Sequence, residues 1–114
     1  MKRILIGLIT AGLLAACSND STPEAPPEMV SAATFREAGP KSVTIYTMVN
    51  NRTGKGGHSA MKVKASQTVI FDPAGSYRHK KIAERGDVIF GVRPWLEKSY
   101  KSAHARSTYH VVSQ

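Results

Sequence analysis

Three short runs of strand-forming residues, separated by turn-type breaks, do most to limit what this chain can fold into. Ser42 to Val49 (SVTIYTMV) is rich in β-branched and aromatic residues. Asn50 to Gly57 (NNRTGKGG) follows, a turn-type loop with three glycines. His58 to Lys64 and Thr68 to Phe71 are two more strand runs, joined around Ala65-Ser66-Gln67. Breaks this short permit antiparallel neighbours and leave no room for a helical crossover between parallel strands.

The rest of the pattern is mixed. Asp72-Pro73-Ala74-Gly75 has the residues of a type I turn. Residues 76–85 (SYRHKKIAER) are polar and read as a loop or a short helical turn. Asp87 to Val92 (DVIFGV) is a further short strand. Pro94 to Ala105 (PWLEKSYKSAHA) is a helix candidate, with Pro94 suited to its first turn and Trp95, Leu96, Ser99 and Tyr100 on one face. Thr108 to Val112 is the last strand. The expected fold is α+β: a small antiparallel sheet of about five strands with one helix.

The N-terminus reads as a targeting segment. Lys2 and Arg3 precede the apolar run from Ile4 to Leu14, which is too short for a permanent membrane span. Leu14-Ala15-Ala16-Cys17 follows and resembles the lipobox of bacterial lipoproteins. The resemblance implies cleavage before Cys17, thioether attachment of diacylglycerol to its sulfur, and acylation of the freed amine. Several acyl chains anchor a protein stably where one does not. Ser18 after the cysteine points, by the same resemblance, to the outer membrane and its periplasmic side. Residues 1–16 are then a signal peptide, 17–40 a lipidated disordered tether rich in Pro, Ser, Ala and Glu, and 41–114 a small basic domain.

Cys17 is the chain's one cysteine. An intramolecular disulfide framework and a Cys-rich zinc site are therefore excluded. Lipidation would also remove this thiol from any catalytic role.

His58 opens a strand beside the glycine loop, a position suited to proton transfer. Its candidate partner is Asp72, at the far end of the next strand. A three-residue loop at Lys64, Ala65 and Ser66 would pair Val63 with Gln67 and His58 with Asp72. A two-residue loop would send Asp72 to the opposite face, because strand side chains alternate.

The run GGHSAMKVKASQTVIFDPAG resembles the histidine strand and following strand of permuted papain-like proteins, among them cell-envelope hydrolases and the lecithin–retinol acyltransferase-like group. It is also similar to a family of bacterial lipoproteins with Gly-Gly-His-Ser-Ala followed by Val-Ile-Phe-Asp-Pro-Ala-Gly. The resemblance covers about residues 42–112. It implies that His58 is the base and Asp72 its orienting residue, with a nucleophilic Cys on a helix further along. No cysteine follows His58. The expectation is thus an incomplete papain-like domain, non-catalytic as it stands, that binds an envelope component or a protein partner. The alternative is a truncated amidase, peptidase or acyltransferase that lacks its thiol.

Charge is segregated along the chain. From Lys41 onward there are thirteen Lys and Arg against four Asp and Glu. Arg78, Lys80 and Lys81 form the densest cluster, a candidate site for anionic envelope polymers or lipid headgroups. A nucleic-acid partner is not expected in this compartment. His104 and His110 read as a helix-surface and a strand residue. No metal site and no cofactor are expected. Tyr77, Trp95, Tyr100 and Tyr109 read as core.

Overall fold

The computed structural model describes residues 23–114. The expected signal peptide and lipobox, with Cys17 and Ser18, lie outside the described residues. Among the described residues, no helix is long and apolar enough to cross a membrane.

Among the described residues the fold is α+β, built on a six-stranded antiparallel sheet with two helices. In chain order these are α1 (Pro27–Ala33), β1 (Ser42–Asn50), β2 (Gly56–Lys64), β3 (Thr68–Phe71), β4 (Ala83–Arg85), β5 (Val88–Phe90), α2 (Pro94–His104) and β6 (Tyr109–Ser113). The sheet order is β4-β5-β3-β2-β1-β6. The one strand beyond the expected five is β4. It lies in the polar stretch read as loop, where Ala83, Glu84 and Arg85 carry no apolar alternation. Its pairing with β5 is what makes it a strand.

Alternation along the strands selects the packed face. Tyr46 and Met48 of β1, Ala60 of β2, Ile70 of β3 and Ile89 of β5 are buried on one side. The helix α2 lies over that side. Its Leu96 and Tyr100, four residues apart and so on one helical face, are almost fully buried there. Tyr77 packs edge-on against Tyr100, with ring centroids 5.3 Å apart. Trp95, expected in this core, is 47% exposed and rests beside His79. One residue before Leu96, it points about 100° away around the helix. The opposite face of the sheet leaves Val43, Ile45 and Phe71 exposed.

Lys62 is the buried cation of the strands among the described residues, 8% exposed at an inward position of β2. Glu97 of α2 meets its Nζ at 2.6 Å and Glu37 at 2.7 Å. Tyr46 donates its hydroxyl to the other oxygen of Glu97. Burial opposes the charge on Lys62, yet the hydrogen bonds to Glu37 and Glu97 outweigh it, and its pKa is raised. The pKa of Glu97 is lowered: burial works against its charge, and Lys62 and Tyr46 more than reverse that effect.

The expectation of a disordered segment up to residue 40 is corrected where the structure describes it. Pro27 begins α1 rather than opposing it, since a first-turn residue has no intrahelical N–H bond to lose. The flanks of α1 are tied to the body. Ala25 N–H donates to Glu84 O on the outer edge of β4. Thr68 N–H donates to Phe35 O, and Glu37 N–H donates to Thr68 Oγ1 at 2.8 Å. The first two are backbone contacts, available to almost any sequence, so composition does not announce them; the third needs the Thr68 hydroxyl.

Candidate active site

The β2–β3 hairpin turns through Ala65, Ser66 and Gln67, with Lys64 opposite Thr68 and Val63 opposite Val69. This register is offset by two residues from the expected one. His58 and Asp72 are therefore not a directly opposed pair, and Asp72 lies just past the end of β3. An offset of two preserves the face, because side-chain direction repeats every two residues. Asp72 thus still reaches His58 diagonally.

The two side chains meet. His58 Nε2 lies 2.5 Å from Asp72 Oδ1. A carboxylate only accepts, so Nε2 carries the proton. In the neutral ring Nδ1 is then the lone-pair nitrogen. Asp72 is completely buried, whereas His58 is partly exposed. Tyr100 of α2 donates its hydroxyl to the same Oδ1 at 2.9 Å. The Tyr100 pKa is pushed up by burial and by the charge of Asp72, so the phenol remains a donor throughout the physiological range.

The loop after β3 shapes itself around this carboxylate. Gly75 N–H donates to Asp72 O, closing the expected turn. Its third residue, Ala74, has φ of 54°, which marks type II geometry rather than the expected type I. Gly75 sits directly against the Asp72 side chain, where a Cβ would collide with the carboxylate. At the other wall, a Cβ on Gly57 would come within 2.8 Å of the Tyr109 ring. Glycine at both positions lets these groups close in.

A cleft of about 250 Å³ opens at His58, lined among others by Gly75, Ser76, His104, Arg106 and Tyr109. His104 corrects the expectation of a helix-surface residue. It is half-buried, and its ring stacks on that of His58 at 5.9 Å with an interplanar angle of 11°. His104 Nδ1 donates to Tyr100 O at 2.8 Å, which leaves Nε2 as the acceptor nitrogen. Leu96, Tyr100 and His104 follow one another at four-residue spacing. Extending the apolar face of α2 by one turn would have found His104; its isolation from any carboxylate in sequence hid it.

The other histidines stand apart from this group. His110 Nδ1 contacts Asn51 Oδ1, and His79 lies beside Trp95. The basic cluster does not converge either. Arg78 turns back to donate to Tyr77 O and Gly75 O and lies 3.5 Å from Glu84. Arg78 and Lys80 border a shallow groove that also contains Glu24 and Glu84, so acidic groups of the chain answer part of their charge. Lys81 is exposed.

What the cleft offers chemically is a histidine whose tautomer is set by a buried carboxylate, with a phenol supporting that carboxylate. No family model, curated protein or solved structure matches this chain.

Proposed function

We propose that this chain is a lipid-anchored cell-envelope protein whose cleft binds an acyl-bearing envelope component and offers His58 as a proton acceptor to it. The observation that carries the reading is the 2.5 Å contact between His58 Nε2 and a fully buried Asp72. A carboxylate in that position fixes the ring orientation and stabilises the imidazolium formed when Nδ1 takes a proton. The reaction class supported is amide or ester cleavage or acyl transfer. The lipobox resemblance at Leu14-Ala15-Ala16-Cys17 supports the anchor and the outer-membrane location.

The second reading is a tethered binding module, and the cysteine count favours it. Cys17 is the chain's one thiol and is assigned to lipid, so the chain brings a base without a thiol nucleophile of its own. Its partner is then an envelope polymer, a lipid headgroup or another polypeptide.

Hydrolysis of p-nitrophenyl acetate separates the readings, because a poised imidazole attacks or activates water without needing a thiol. The first predicts a wild-type rate that falls by roughly tenfold or more in His58→Ala and in Asp72→Asn. Equal rates in all three proteins leave the binding module. Cellular labelling with a palmitate analogue tests the anchor: label on the wild type must vanish in Cys17→Ser, and an unlabelled wild type rejects it.

A further inference from the structure

Three donor side chains from three elements converge at the cleft: His58 of β2, Asp72 after β3 and His104 of α2. One ligand-type atom of each lies within 4.8 Å of those of the other two. We propose that these residues form a binding site for a divalent ion of the zinc type. The inference stands on the donor geometry and does not require the acid–base reading.

Two further observations point to a ligand here. Asp72 is fully buried, yet its Oδ2 has no hydrogen-bond partner among the described residues. A buried carboxylate oxygen without a donor is costly, and a metal ion is one way to satisfy it. The second observation is the setting of His104. Its Nδ1–H is committed to the Tyr100 carbonyl, which turns the unprotonated Nε2 into the available donor. Metal-binding histidines are held in this way by a hydrogen bond from the other ring nitrogen. The Tyr100 hydroxyl on Asp72 Oδ1 orients the carboxylate in the same manner.

Two imidazoles and one carboxylate suit zinc better than calcium or magnesium, which prefer all-oxygen shells. Three protein ligands leave a fourth position for water or an anionic group entering through the cleft. Arg106 lines that cleft and would favour an anion there. Binding through His58 Nε2 requires the other tautomer: the ring gives up the Nε2 proton it holds against Asp72 and takes one from solvent at Nδ1, so the ligand stays a neutral imidazole. Oδ2 of Asp72 would then take the ion while Oδ1 keeps the Tyr100 hydroxyl, and His58 Nε2 must leave Oδ1 to join it.

The test is zinc titration followed by calorimetry, using the full chain with Cys17→Ser so that no free thiol competes. One equivalent should bind, and His104→Ala should weaken it by about tenfold or more, while His110→Ala binds like the parent. Circular dichroism checks the fold of each variant. Should His104→Ala fail to fold, the parent protein still decides: zinc should shift the ring resonances of His58 and His104 and leave those of His79 and His110 in place. Absence of stoichiometric binding overturns the site. So does equal binding by folded His104→Ala, or a response confined to His79 and His110.

Discussion

The Tyr100 hydroxyl donates to the same oxygen of Asp72 that meets His58 Nε2. One buried carboxylate oxygen thus joins the sheet, the loop after β3 and the helix α2. The site and the packing of α2 are therefore one structure, and a change at Tyr100 reaches both.

Replacing Tyr100 by Phe keeps the ring among Tyr46 and Tyr77 and removes only the donor. Stability should fall by about 1–3 kcal/mol, the usual cost of leaving a buried acceptor short of a bond. Urea denaturation measures it. An unchanged midpoint would mean that the Tyr100–Asp72 contact contributes nothing net.

Gly75→Ala places a methyl group against the Asp72 carboxylate. The loop must move, and overpacking of this kind costs about 1–3 kcal/mol. The His58 ring resonances should shift as the contact with Asp72 is lost. A variant with native stability and unmoved His58 signals would show that the loop yields without disturbing the site.

The Lys62 network contributes stability at both ends of the pH scale. The Lys62 pKa is raised above its usual 10.5, so its contribution is complete below that value and is lost as pH rises through the folded pKa. The Glu97 pKa is lowered below 4.5, so its contribution is present above that value and is lost as pH falls through the folded pKa. Lys62→Met should flatten the alkaline loss of stability expected of the wild type. Parallel wild-type and variant curves above pH 10 would refute this.

Glu84 behaves oppositely. It is 4% exposed, and its pKa is raised by burial, which Arg78 offsets in part and the charges of Asp72 and Asp87 reinforce. A carboxyl raised above 4.5 binds protons more tightly in the folded state, so its ionisation lowers stability as pH rises through that region. Glu84→Gln should therefore be relatively more stable at pH 7 than at pH 4. Thermal denaturation at the two pH values checks the sign, and a reversed order rejects the assignment.

Thr68→Val removes the hydroxyl that receives Glu37 N–H. The segment through Arg36 should then open more often, and trypsin should cut there faster than in the wild type. Cleavage at the wild-type rate would assign the docking of residues 35–37 to other contacts, such as Arg36 Nε with Ala65 O.

The β-branched runs with short breaks determined the antiparallel meander β1-β2-β3, because alternation and turn chemistry are local properties. The same two-residue periodicity placed His58 and Asp72 on one face even though the register is offset by two. Residues 94–104 were legible as a helix from Pro94 and the spacing of Leu96 and Tyr100. Tertiary structure alone decided the remainder. Ala83–Arg85 became a strand through β5, and Pro27–Ala33 became a helix beside a body that supplies backbone partners on either side of it. Seating α2 over the sheet brought Tyr100 to Asp72 and His104 to His58, across 28 and 46 residues of chain. Contacts at such separation depend on how packed elements are set against one another, and no local pattern of residues encodes that distance.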